Sequence, residues 1–259
     1  MMKNKFFNLL VVVLFLGLFS CEEEYVKPVK ISYQQQAIDS TLAKNTDMEE
    51  FIKPYREKID AEMKTVLSYS PKSMFKSDSP YNTAIGNMMA DAVLEEANPL
   101  FKQRHNLAID AVLLNYGGIR SGISEGEITV RTAYDIMPFE NKVVVVELPY
   151  EAAQEMIKYL MKKRTAHPIS GMQIQLNHNY SFKEAFINNE AIHPEDNKNK
   201  SFYIATSDYL LQGGDEMDFF TNNTEVFHLD YKLRNLFIDY FKKKDEINPT
   251  QDNRFTVGN

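Results

Sequence analysis

The run Lys142–Leu148, KVVVVEL, constrains the fold more than any other segment. Consecutive β-branched side chains favour extended backbone, and a strand without polar alternation is one buried on both faces. The segment after it, residues 150–162, predicts a helix with Ala153, Met156, Tyr159 and Leu160 on its apolar side. Ala108–Asn115, AIDAVLLN, predicts another buried strand. It stops abruptly at Tyr116-Gly117-Gly118, where paired glycines permit a tight turn and close backbone approach. Phe202–Thr206 predicts a short strand leading into Asp208–Asp215, and Leu233, Leu236, Phe237, Tyr240 and Phe241 predict a closing amphipathic helix. A further helix, marked by Ile85, Met89, Ala92 and Val93, follows the turn Ser79–Thr83. The Asn- and Lys-rich stretch from Asn177 to Lys200 predicts a surface loop or hairpin. Strands interleaved with helices predict an α/β or α+β layered sandwich, a mixed sheet flanked by helices.

The N-terminal segment does not belong to that fold. Lys3 and Lys5 precede the apolar run Leu9–Phe19, the pattern of a secretory signal over residues 1–20. At roughly ten residues the run is too short to span a bilayer core, which needs about twenty. Leu18-Phe19-Ser20-Cys21 resembles the lipobox of bacterial lipoproteins. That resemblance implies cleavage before Cys21, lipidation of its thiol, and an exported chain held on a bacterial membrane, on the periplasmic or surface face of the outer membrane. Cys21 is the sole cysteine, so no internal disulfide is available to the exported chain. Residues 21–46 are polar and predict a tether. Asp47–Leu67 predicts a helix, with Met48, Phe51, Ile52, Tyr55, Ile59, Met63 and Val66 at three- and four-residue steps; it is expected to lie against the domain, residues 47–259, or to pack on a partner.

Without residues 1–20 the chain carries 27 basic against 36 acidic residues, a net charge of −9. That balance argues against nucleic acid as a partner, because a sequence-independent grip on nucleic acid needs clustered Lys and Arg. A free nucleotide or nucleoside is still compatible with it.

Three segments place polar or aromatic groups just beyond an apolar strand, where open α/β sheets hold ligands. In the first, Asn115 offers an amide that both donates and accepts, and Arg120 a planar fork for phosphate or carboxylate. A structural turn followed by a surface arginine reads equally well there. In the second, Pro138 stiffens the approach to a strand and Phe139 stands at its mouth, or is simply buried. In the third, Tyr209 and Asp215 bracket the turn Gly213-Gly214, with Asp215 able to accept from two ribose hydroxyls or to serve the turn itself.

Together these segments resemble one family, the C-terminal domain of 5'-nucleotidases. Its motifs N-x-G-G-I-R, G-x-I-T, P-F-x-N and G-G-D read here as Asn115–Arg120, Gly126–Thr129, Pro138–Asn141 and Gly213–Asp215, and its G-N-x-x-x-D-A helix core as Gly86–Ala92. The resemblance covers roughly residues 55–225. It implies a base held between Phe139 and Tyr209, with Asn115 on the base, Arg120 on the phosphate side, Asp215 on the ribose, and Gly117, Gly118, Gly213 and Gly214 as structural turns. It also implies an arginine ahead of the first helix, but the sequence there reads Ser79-Pro80-Tyr81-Asn82, so a weaker phosphate grip or a nucleoside ligand is expected.

Family enzymes hydrolyse phosphate esters with a preceding metallophosphatase domain, whose D-x-H, G-N-H-[DE] and G-H-x-H segments hold two metal ions. No such segment occurs in this sequence. His105, His167, His178, His193 and His228 are scattered and are expected to be solvated or loop residues, not ligands. The expectation is therefore a chain with no metal site, no cofactor and no catalytic residue of its own, whose divalent metals reside on a partner metallophosphatase subunit. The alternative is a surface lipoprotein that captures nucleosides or nucleotides without chemistry.

Overall fold

The computed structural model describes residues 32–258. They fall in two compact units divided between Phe51 and Ile52. The signal segment, Cys21 and the first part of the tether lie outside the described residues. In the first unit, residues 32–45 form neither helix nor strand and are exposed. Helix α1 (Thr46–Met63) begins there and continues into the second unit, and none of its residues is buried. Nor does it reach Leu67. Val66 and Leu67 open strand β1 (Val66–Ser70), which pairs antiparallel with β3 (Gly126–Thr129), Tyr69 opposite Glu127. The β-branched Thr65-Val66 step gains a ladder partner far away in sequence, which a local helical period cannot reveal. Among the described residues no helix is long and apolar enough to cross a membrane.

The second unit is built on a five-stranded sheet of order β10-β4-β9-β2-β5: β2 (Ala111–Leu113), β4 (Lys142–Pro149), β5 (Ile169–Ser170), β9 (Ser201–Ser207) and β10 (Glu225–Lys232). β2 and β9 run parallel and the other three pairings are antiparallel, so the sheet is mixed as predicted. Only the centre of Ala108–Asn115 forms ladder pairs; beyond it the Leu114 N–H donates to the Pro168 carbonyl at 2.9 Å.

Successive side chains of a strand point to opposite faces. Val112, Val143, Val145 and Ala205 accordingly join a core with α2 (Ala84–His105) and α6 (Leu233–Lys242). Leu113, Val146, Leu148 and Ile204 join a second core with α4 (Tyr150–Lys163). Cover on both faces is why KVVVVEL shows no polar alternation. Full burial of residues such as Leu236, Phe237 and Leu160 contributes roughly 1.5–3 kcal/mol each.

The second core extends to a four-stranded sheet of order β11-β6-β7-β8: β6 (Met172–Leu176), β7 (Phe182–Ile187), β8 (Glu190–Ala191) and β11 (Phe255–Val257). β7 and β8 are a hairpin within the stretch predicted as loop or hairpin. Its turn puts Asn188 and Asn189 at φ 48° and 64°, a region asparagine tolerates better than most residues. Between β3 and β4 lies the short helix α3 (Val130–Ile136), started by a reciprocal Thr129–Thr132 capping box. Helix α5 (Asp208–Leu211) follows β9 directly.

Candidate functional site

Strand order brings the three motif segments together. Val143 stands opposite Ser207 across the antiparallel β4–β9 pair, and β9 is parallel to β2. The start of β4 and the ends of β9 and β2 therefore share one edge of the sheet. At that edge Asn115 leads into a 3-10 turn (Tyr116–Gly118), α3 ends in Met137-Pro138-Phe139, and α5 leads into the turn Gly213–Glu216. They open on one cavity of about 320 Å³, lined by Asn115, Gly117, Gly118, Arg120, Phe139, Asn141, Tyr209 and Asp215.

Asp215 is its polar centre. One carboxylate oxygen accepts from the Asn115 side-chain amide at 2.6 Å, and the other accepts from the Tyr209 hydroxyl at 3.1 Å. Two side chains assigned by the resemblance to different parts of a ligand are thus bonded to each other. Asp215 sits in the left-handed region, φ 55° and ψ 30°, which aspartate tolerates better than most residues. The Tyr159 hydroxyl donates to its carbonyl at 2.8 Å, and the next residue, Glu216, pairs with Lys163 at 2.9 Å. The Asp215 carboxylate, by its hydrogen bond and then its charge, raises the pKa of the Tyr209 phenol. Burial, then the Asp215 charge, pushes Tyr159 up to about 12. Both phenols are neutral donors at ordinary pH.

Two glycines leave room for side chains of the site. A Cβ on Gly118 would lie 2.7 Å from the Asn115 side-chain oxygen, and one on Gly214 would lie 2.5 Å from the Tyr209 ring. Gly213 does not line the cavity, but its φ of 83° turns the chain beneath it. At Gly117 a Cβ would meet only ordinary contacts, 3.4 Å from the Asn115 and Asp215 side chains.

Phe139 and Tyr209 expose 40% and 44% of their surface, so neither ring is taken up by the core. Phe139 is held from behind by Arg234 of α6, which the sequence reading did not single out. Arg234 is 5% exposed, donates to the Pro138 and Phe139 carbonyls at 3.2 and 3.3 Å, and pairs with the Glu140 carboxylate. Hydrogen bonds from Lys232 and Arg234 hold the Glu140 carboxyl down to about 2. The Arg120 guanidinium lies 5.7 Å from the Phe139 ring centroid.

Tyr81, where an arginine was missing, packs its ring against Phe255 at 5.5 Å and does not line the cavity. Lys76, upstream of it, instead brings a cation to the Arg120 loop: its ammonium donates to the Ile119 carbonyl at 2.8 Å and lies 4.6 Å from the Tyr116 ring centroid. His167, expected as a solvated or loop residue, is a loop residue shielded from solvent. It lies in the loop between α4 and β5 but is only 8% exposed, and its Nδ1 accepts the Tyr116 N–H at 3.1 Å. Burial pushes its imidazole down to about 4, against the pull of the Asp215 charge. The neutral ring therefore carries its proton on Nε2. The other four histidines are exposed.

Among the described residues no three His, Cys, Asp or Glu side chains converge as a metal-ligand set. With Asp215 the one carboxylate lining the cavity, its donors do not fit the two-metal centre that the family's chemistry needs. A larger and more open hollow of about 620 Å³ runs along Ser170, Phe186, Asn188, Asp252 and Arg254. Its polar groups already serve each other: Arg254 pairs with Asp91 at 2.9 Å and Asp252 at 2.7 Å, and Asn188 donates to Asp110 at 2.7 Å. The smaller cavity, with aromatic rings and convergent polar groups, is the better ligand site.

Layered α/β architecture places this candidate small-molecule site where three strands end together. The family model described as "5'-nucleotidase, C-terminal domain" matches residues 66–222, more than half of the chain, and the chain belongs to that family. It is 26% identical over 183 residues to the trifunctional nucleotide phosphoesterase protein YfkN of Bacillus subtilis, covering 66% of this chain and 12% of that protein. To the 5'-nucleotidase of Vibrio cholerae it is 25% identical over 154 residues, 58% of this chain and 26% of that one. The fold is shared with the 5'-nucleotidase precursor of Thermus thermophilus, at a TM-score of 0.66 and 19% identity over 82% of this chain and 43% of that one. The chain thus spans less than half the length of these relatives.

Proposed function

We propose that this chain recognises a 5'-nucleotide for a 5'-nucleotidase-type hydrolysis whose metal chemistry is carried by a separate metallophosphatase subunit. The observation that carries the reading is the convergence of Phe139, Tyr209, Asn115, Arg120 and Asp215 on one cavity in a chain of this family. Stacking between two rings is worth about 1–3 kcal/mol per base and tolerates any base. Asn115 reads the base edge. Asp215 accepts from the ribose hydroxyls, since each carboxylate oxygen has a second lone pair beside the one used by Asn115 or Tyr209. Arg120 faces the phosphate, with the Lys76 ammonium bonded to the neighbouring Ile119 carbonyl. Lipidation at Cys21 tethers the exported chain at a membrane, and α1 is the element on which the partner docks.

Calorimetric titration with AMP and adenosine tests the reading. Both ligands are expected to bind one per chain, AMP at least as tightly, with Phe139→Ala weakening both by roughly tenfold to a hundredfold and Arg120→Ala weakening AMP alone. A clear preference for adenosine instead indicates nucleoside capture without chemistry. Binding untouched by Phe139→Ala places the ligand elsewhere and overturns the proposal.

A further inference from the structure

Asn115 and Asp215 belong to turns separated by the whole of β3–β9, yet their side chains are 2.6 Å apart. That short bond cannot by itself set the distance between the turns, because both side chains rotate freely once it breaks. Beneath the cavity, however, a second connection ties the two backbones. The His167 Nδ1 accepts the Tyr116 N–H at 3.1 Å, so the imidazole holds the first residue of the 3-10 turn. The Tyr159 hydroxyl holds the Asp215 carbonyl at 2.8 Å. The rings of Tyr159 and His167 pack on each other, centroids 5.6 Å apart, and Tyr159 is backed by Phe219 at 5.5 Å. Neither group lines the cavity.

We propose that Tyr159 and His167 are positioning residues, a two-ring bracket that fixes the Asn115 turn relative to the Asp215 turn and so sets how tightly the site closes on the sugar and base. The inference rests on the nucleotide-recognition reading for its functional consequence, but its structural half does not. The bracket works only while His167 is neutral, because an imidazolium has no acceptor for the Tyr116 N–H. The groups facing it are Asp215 and the Leu114 backbone, which favour the charged form, and Lys163, which opposes it; burial, reinforced by Lys163, outweighs the other two. The bracket is therefore intact throughout the neutral range.

The test compares His167→Leu, which removes the acceptor, His167→Asn, whose side-chain oxygen can stand where Nδ1 stands, and Tyr159→Phe, which removes only the hydroxyl. In the full chain, His167→Leu and Tyr159→Phe are expected to weaken adenosine and AMP equally, by about tenfold each. His167→Asn should restore most of the loss, a rescue that a merely space-filling role would not give. Backbone amide exchange is followed in the same proteins without ligand, with faster exchange expected at Tyr116 in His167→Leu. Folded variants that bind like the parent overturn the bracket while leaving nucleotide recognition intact. If the parent binds neither ligand the recognition reading falls, and the bracket is then decided by exchange alone: unchanged protection of Tyr116 in His167→Leu overturns it.

Discussion

Replacing Asp215 with alanine is expected to lower nucleoside and nucleotide affinity by roughly 100-fold, the largest single effect at the site. Hydrogen bonds to a charged group contribute about 1.5–3 kcal/mol each, and every 1.4 kcal/mol is tenfold in affinity, so loss of two ribose contacts reaches that range. The same change removes the acceptor shared by Asn115 and Tyr209, freeing both side chains to leave the cavity. Alanine must also occupy φ 55° at that position, at a cost of about 1–2 kcal/mol. Asp215→Asn separates the contributions: asparagine tolerates the left-handed region and keeps one acceptor oxygen, but not the charge. Its loss is expected to be nearer tenfold. Calorimetry on both variants, with unfolding curves to correct for stability, reads the difference. Affinity unchanged in Asp215→Ala would remove the ribose from this carboxylate.

The second large effect is on stability and follows from His167. Its pKa is lowered from 6.5 to about 4 in the folded chain, chiefly by burial, while the unfolded chain keeps the ordinary value. Above about pH 6.5 the imidazole is neutral in both states and contributes no pH dependence. As the pH falls from there toward 4 the unfolded chain binds the proton first, so stability drops through that window and levels off below it. Each pKa unit is worth 1.36 kcal/mol, which makes the full loss about 3 kcal/mol. Carboxylates titrate in the lower part of the same range, so the measurement is a difference: urea unfolding of the parent and of His167→Asn at neutral pH and near pH 4. The parent is expected to lose about 3 kcal/mol more than the variant. Equal losses would mean that His167 is solvated in the folded chain.

What the sequence made legible was local chemistry. The valine run of β4 and the helix after it are strong periodic signals, and the strand-then-glycine pattern at Asn115–Gly118 and Tyr209–Asp215 marked sheet-edge turns with polar groups. Adjacency was not legible. That β4, β9 and β2 are neighbours, and so put three distant turns on one cavity, comes from pairing that no window of sequence contains. The end of α1 was misplaced for the same reason, since Val66 extends the apolar period of the helix until β3 supplies a competing partner. Tyr159 was read correctly as lying on the inner face of its helix, but an apolar-face argument sees the ring and not the hydroxyl that reaches Asp215. His167 and Arg234 left no local signal. Each is recognisable only by what it touches: the Tyr116 amide in one case, the carbonyls ahead of β4 in the other.

On the proposed reading, the cavity lined by two aromatic rings, an amide, an arginine and a single carboxylate holds the nucleotide, and activation of water falls to a partner. Hydrolysis of AMP by the purified chain with added divalent metal, measured beside calorimetric binding of AMP to the same preparation, tests that division of labour most directly. Binding without turnover, with hydrolysis appearing when a metallophosphatase subunit is supplied, is the predicted result. Robust metal-dependent turnover by the chain alone would contradict it.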